Sequence, residues 1–353
     1  MKTAETRKME EVEEEYKSER MEARGYVLDS ELRMVDAAGN AFDSGRASVH
    51  LFDAMGARVA AEMDTLLTQR AGLERIVLSG TPDVEHQTVY ATPGLQARTA
   101  PLLVLVPGSG KVFNGVVSRN VSLRESLHTG TYWDDVLRAQ ARGWSVLVLN
   151  PNERPCRRVA PATATNKDGY DAETARELFH MGRFRGGRRG PLVLDGCWAV
   201  DADAWAPEDY AQRVWDRFVV PARAAQVFVL AHSAGGELTC QLLRDERDAA
   251  VLARVAAVAL ADSVHIESVP PGAPRRAFFE DSTRIVNWVR SPEPLDTPLG
   301  AWANGVTARS AGTTEHAETT SRARESIWAL FLSRLDAPAA AAAAAAPSSP
   351  SSS

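Results

Sequence analysis

The chain has 353 residues, 44% hydrophobic and 24% charged, proportions that exclude a wholly disordered chain, a fibre and a disulfide-dense miniature. A formal net charge of −6, from 40 basic and 46 acidic residues, argues against affinity for nucleic acid over the whole surface and leaves room for a local basic patch. Cys156, Cys197 and Cys240 stand far apart with no Cys-x-x-Cys pair, as expected of thiols in a reducing compartment rather than of a disulfide framework.

The first 24 residues hold eight Glu and six Lys or Arg. Such a segment has little to bury, and a solvated helix or disordered extension is predicted over 1–24. It lacks an apolar signal region, and no run in the chain approaches the ~18 apolar residues of a membrane helix. The expectation is a cytosolic or nuclear protein away from membranes. A single folded domain is predicted over 25–336, followed by an Ala/Pro/Ser tail over 337–353.

Within the domain, Met55, Val59, Met63 and Leu67 recur at four-residue spacing and predict a helix over 49–71, closed by Gly72. Extended segments follow around 73–78 and 87–91. The apolar run Leu102–Val106 ends in Pro107-Gly108-Ser109-Gly110. A helix over 131–142, with Trp133, Leu137 and Ala141 on one face, stops at Gly143. A second apolar run, Ser145–Leu149, ends in Asn150-Pro151-Asn152. Tyr210, Val214, Trp215 and Phe218 mark a helix, Val227–Ala231 a third strand and 234–248 a helix. Val255–Ala261 and Arg284–Val289 are further strands, and 321–335 is a closing helix. Apolar strands alternating with helices predict an α/β fold, a mostly parallel sheet with helices on both faces. Ligands on such sheets sit beyond the carboxyl ends of the strands.

The stretch 156–205, rich in Pro, Ala, Gly and Arg, breaks this rhythm and reads as an insertion. It carries Arg183, Arg185, Arg188 and Arg189 around one aromatic and three glycines. Such a cluster contacts RNA phosphates when flexible, and is otherwise a solvated linker.

The chemistry-bearing signal is Val227 to Gly236, an apolar strand running into Ala231-His232-Ser233-Ala234-Gly235-Gly236 and then a helix. Small residues around Ser233 suit a nucleophile elbow, in which a sharp turn lifts the hydroxyl above the sheet. The alternative is a turn whose serine merely caps the helix. A serine nucleophile needs a base and an orienting acid, in chain order Ser, acid, His on this kind of fold. His316 lies in the last loop before the closing helix. Asp296, after the fifth strand, is the preferred acid. Asp262 is the alternative acid, and His265 a rival base. Each is also a residue type common in turns. The Gly108–Gly110 loop suits an oxyanion hole built from the N–H groups of Ser109 or Gly110 and of Ala234. As a nucleotide loop it lacks a third glycine, and Lys111 is not in a Gly-x-x-x-x-Gly-Lys-Ser/Thr setting. No metal-ligand spacing is present. No cofactor or metal is expected.

These residues resemble the Argonaute-binding, α/β-hydrolase-like family (the Arb-two domain), in its cotranscriptional regulator branch. The resemblance is carried by Gly25-Tyr26, Glu31-Leu32-Arg33, Leu102 to Gly110, Glu125-Ser126-Leu127, Gly130-Thr131 and Gly143 to Asn152. It continues through Val227 to Gly236, Ala259 to His265, Asn287-Trp288-Val289, Glu293 to Pro298, and Ser310-Ala311-Gly312 with His316. The resemblance implies an α/β-hydrolase-like fold. It also implies an interaction role in nuclear small-RNA silencing, heterochromatin assembly or chromatin-linked splicing, with an Argonaute-type, chromatin or splicing protein as partner. Ser233 carries over onto the family's nucleophile position, and Asp296 and His316 onto its motifs. A serine hydrolase acting on an ester, thioester or amide is the alternative of a different class. Fold alone does not decide between them.

Overall fold

Runs of four to seven residues that are apolar at nearly every position cannot expose either face, so they settle as strands in a sheet covered on both sides. The computed structural model describes residues 22–23, 25–78, 87–153, 156–158, 193–194, 198–200, 205–244, 249–263, 276–301 and 305–335. Nine strands form the main sheet: β1 (Glu74–Val77), β2 (Thr88–Ala91), β3 (Leu102–Val106), β4 (Ser145–Val148), β5 (Val227–His232), β6 (Val255–Ala261), β7 (Ile285–Val289), β8 (Pro298–Ala301) and β9 (Thr307–Ser310). Their spatial order is β8-β9-β7-β6-β5-β3-β4-β2-β1. The six strands from β9 to β4 are mutually parallel. At the edges, β2 runs antiparallel to β1 and β4, and β8 antiparallel to β9. This is an α/β-hydrolase-like architecture, with β5 in the middle.

Alternation along each strand divides the core. Leu103, Leu105, Val146, Val148, Phe228 and Leu230 point to one face, where they meet helices α1 (Val49–Thr65), α2 (Trp133–Ala141) and α5 (Arg324–Leu335). Leu102, Val104, Val106, Leu147, Val227 and Val229 point to the other, under α3 (Pro207–Val214) and α4 (Ala234–Arg244). Every strand–helix crossover among β3 to β6 returns the chain to the same end of the sheet, which gathers the loops after β3, β4, β5 and β6.

The five apolar strands and the five helices predicted from periodicity are present, the helix predicted over 234–248 being described as far as Arg244, with 245–248 outside the described residues. The helix from Val49 finishes in a wider π-type turn, Leu66–Arg70, and α3 likewise in Trp215–Val219. Three features were not anticipated: strands β8 and β9; a small antiparallel pair of Val27–Leu28 with Met34–Val35; and three short strands within 156–205, Cys156–Arg158, Val193–Leu194 and Trp198–Val200. Arg183, Arg185, Arg188 and Arg189, His265, and the segments 1–21 and 337–353 lie outside the described residues.

Candidate active site

Ser233 follows β5 directly and precedes α4 with φ +53°. A left-handed backbone costs an L-residue roughly 1–2 kcal/mol, so the surroundings must impose it. Its N–H donates to the Ala261 carbonyl (2.9 Å), and its own carbonyl accepts from the Gly236 N–H (3.0 Å) and from the Ser263 hydroxyl (2.6 Å). Gly235 and Gly236 leave no room for a side chain, and Gly108 leaves little. A Cβ on Gly235 would stand 2.5 Å from the Val106 carbonyl oxygen, one on Gly236 1.8 Å from Ser263 Oγ, and one on Gly108 3.0 Å from Ser233 Cβ. Three chain segments are thus fitted around the turn.

His316 opens a short turn, His316–Glu318, in the loop after β9. Its Nδ1 lies 2.5 Å from Oδ2 of Asp262, which leaves Nε2 as the nitrogen able to accept a proton. Asp262 follows β6, again with a left-handed backbone (φ +46°), and is 1% exposed. Burial pushes its carboxyl up, but hydrogen bonds from His316 and from the Arg290 N–H (3.2 Å), with the Arg290 guanidinium 3.7 Å away, outweigh it and hold the group below the usual carboxylate range. His232 ties His316 to the elbow: its Nε2 lies 3.2 Å from the His316 carbonyl oxygen, and the two rings are 4.7 Å apart. Burial first, then the charge of His316, pushes His232 down to about 4, so it is neutral at neutral pH.

Asp296, preferred from the sequence as the acid, is corrected by the structure. Its Oδ1 accepts from the Trp288 indole N–H (2.8 Å) and its Oδ2 from the Ser326 hydroxyl (2.6 Å). Both oxygens are taken up in joining β7 to α5, and the alternative, Asp262, is the carboxylate that meets His316.

The glycine loop packs against Ser233 through Gly108. Asn152, to which the sequence pattern assigned no role, donates from Nδ2 to the carbonyls of Gly108 (2.7 Å) and Val112 (3.0 Å). Because a trans peptide is planar, fixing the Gly108 carbonyl turns the Ser109 N–H to the opposite side. Ser109 is exposed and Gly110 is left-handed, φ +110°. Ala234 starts α4, and a first-turn N–H has no acceptor within its helix. Beneath the loop, Asn150 donates to Asn114 Oδ1 (3.1 Å) and Glu153 Oε2 (3.1 Å), and Glu153 accepts from Thr88. Burial raises the Glu153 carboxyl above its ordinary value. The signal for this support was the polar Asn150-Pro151-Asn152-Glu153 run closing an apolar strand.

Fold and elbow define an α/β-hydrolase-like protein, with Ser233 at the turn where such folds carry a nucleophile. The model of the Arb2 domain matches residues 21–295, and the chain belongs to that family. It is 30% identical over 313 residues to the cotranscriptional regulator ARB2A homolog of Xenopus tropicalis, covering 81% of this chain and 71% of that one. It is 28% identical over 299 residues to the cotranscriptional regulator ARB2A of Mus musculus, covering 79% and 70%. Among solved structures it is similar to a bacterial membrane phospholipase A (14% identity, TM-score 0.28, 62% of this chain and 47% of that one). A second is the 2-hydroxy-6-oxo-6-phenylhexa-2,4-dienoate hydrolase of Rhodococcus (16% identity, TM-score 0.27, 60% and 55%). The chain thus spans about half the length of those two enzymes.

Proposed function

We propose that this protein is a nuclear cotranscriptional regulator of the Argonaute-binding type, acting in small-RNA silencing, heterochromatin assembly or chromatin-linked splicing by binding an Argonaute-type, chromatin or splicing protein. One observation carries this reading: the match to relatives named cotranscriptional regulators runs through most of the chain at up to 30% identity. The arginine cluster Arg183, Arg185, Arg188 and Arg189 adds at most weak phosphate contact with RNA. Affinity purification of the tagged chain from nuclei, followed by mass spectrometry, tests the reading. Enrichment of an Argonaute, splicing or heterochromatin component, retained in Ser233→Ala, is expected, and its absence from nuclear extracts would remove the reading.

A second reading, a serine hydrolase, is favoured by the His316–Asp262 hydrogen bond together with the left-handed turn at Ser233. In it the Ser233 oxygen attacks a carbonyl carbon while its proton passes to His316 Nε2, and Asp262 holds the imidazole by Nδ1. The N–H groups of Ala234 and of Ser109 or Gly110 receive the developing oxyanion. The proton then passes to the leaving group, and water releases the acyl group from Ser233. Labelling by a fluorophosphonate that is lost in Ser233→Ala is the expected result, and a wild-type chain that takes no label would remove it.

A further inference from the structure

We infer that Ser263 and Asn287 are positioning residues that lock the serine turn and the aspartate turn together, an inference that rests on the hydrolase reading for its chemical consequence. Strands β5, β6 and β7 are adjacent and parallel, with Ala231 beside Leu260 and Leu260 beside Asn287. Their ladder ends where Ser233 donates to Ala261 (2.9 Å) and Asp262 to Trp288 (2.7 Å). Both chains then leave in left-handed conformations, which no further ladder bond can hold.

Side chains take over at that point. The Ser263 hydroxyl donates to the Ser233 carbonyl (2.6 Å), so the residue after the acid grips the backbone of the elbow. Ser263 is itself gripped from the other side. Its N–H donates to Asn287 Oδ1 (3.2 Å), and its carbonyl accepts from Asn287 Nδ2 (2.9 Å). Asn287 is fully buried in an otherwise apolar strand, where an amide is tolerated only if it is hydrogen-bonded. It directs both groups of its amide at this one residue. Gly236 completes the fit, since any side chain there would occupy the position of Ser263 Oγ. Asp262 sits between the peptide that Asn287 holds and the last rung of β6, so the direction of its carboxylate, and with it the His316 ring, follows from the clamp.

The test uses the full chain and two readouts. One is the rate of fluorophosphonate labelling at Ser233. The other is the low-field proton resonance of the His316 Nδ1–H, identified by its loss in His316→Gln. Ser263→Ala and Asn287→Ala are expected to slow labelling about 10- to 100-fold and to shift or abolish the resonance, at a temperature where circular dichroism shows both folded. A lowered melting temperature with wild-type labelling and an unmoved resonance would mean that the pair merely ties β6 to β7, and would overturn the inference. Should the wild type take no label, the hydrolase reading fails by itself and the resonance decides: moved in Ser263→Ala, the clamp stands; unmoved, it falls. If Asn287→Ala does not fold, Ser263→Ala, which removes only a hydroxyl, carries the decision.

Discussion

The imidazole Nδ1 of His316 and the carboxylate Oδ2 of Asp262 meet at 2.5 Å across loops that leave strands β9 and β6, which are not neighbours in the sheet. A contact between non-adjacent strand ends comes from both loops rising at the same end of a parallel sheet. It sets up the sharpest contrast available here. On the hydrolase reading, Asp262→Asn leaves His316 in the wrong tautomer, and fluorophosphonate labelling or p-nitrophenyl ester turnover is expected to drop about 10³- to 10⁴-fold. Asp296→Asn is expected to keep the rate and lose about 1 kcal/mol of stability through weaker bonds to Trp288 and Ser326. The reverse pattern would restore Asp296 as the acid.

That choice of acid marks where the sequence stopped being readable. Asp262 and Asp296 both follow apolar strands, and both adopt left-handed backbones. What separates them is that the Trp288 indole claims Asp296, a contact no spacing announces. The strands β3 to β7, buried at every position but Ala256, were legible because their apolar runs leave no other solution. Strand β8 was not, since Pro298 to Ala301 is exposed throughout and carries a proline and a glycine, and β9 hides Arg309 and Thr307 in a half-buried alternation. Asn287 did leave a trace, a lone amide between Val286 and Trp288, whose partner only the fold reveals.

Strain at the elbow has a measurable sign. Ser233→Ala removes the hydroxyl but keeps a Cβ on a left-handed backbone. Ser233→Gly removes both. The relief of roughly 1–2 kcal/mol is partly offset by the greater freedom of glycine in the unfolded chain, so Ser233→Gly is expected to be more stable than Ser233→Ala by about 0.5–1 kcal/mol. Chemical denaturation of the two variants measures it. Gly236→Ala is expected to go strongly the other way because Ser263 Oγ already fills the site.

His232 makes stability depend on pH in a defined window. Burial, and then the charge of His316, pushes it down to about 4 from an ordinary 6.5. Between those values the unfolded chain binds a proton that the folded chain refuses. Stability is therefore complete above about 6.5 and falls as pH drops toward about 4, by on the order of 3 kcal/mol. Asp262 acts elsewhere: its folded value is depressed, so its contribution is present above the usual carboxylate range and is lost only at more acid pH. Melting temperatures at pH 7.5, 6 and 5 are expected to fall in the wild type and to fall less in His232→Gln. Parallel curves for the two proteins would mean that His232 does not carry the effect.

Asn152 gives the last expectation, because one amide fixes the direction of a catalytic dipole in the hydrolase reading. Its Nδ2 holds the carbonyls of Gly108 and Val112, while Lys111 between them is anchored on Asp53 at 2.5 Å. The loop is thus held at three points, and only the bond to Gly108 sets the tilt of the Gly108–Ser109 peptide. Asn152→Ala releases that tilt without touching Ser233, His316 or Asp262. Losing one well-aimed oxyanion donor costs about 10²–10³ in kcat, and that range is the ceiling here, since Ala234 still donates. A fall in kcat of about tenfold or more on a p-nitrophenyl ester, with KM little changed, is expected, because the donor acts on the transition state and not on the bound ester. Asn152→Asp is expected to be worse than alanine, as a carboxylate facing two carbonyl oxygens repels what the amide held. If instead KM rises and kcat stays level, Asn152 shapes the entrance to the site, and the oxyanion donors must be sought in the backbone of Gly110 and Ala234.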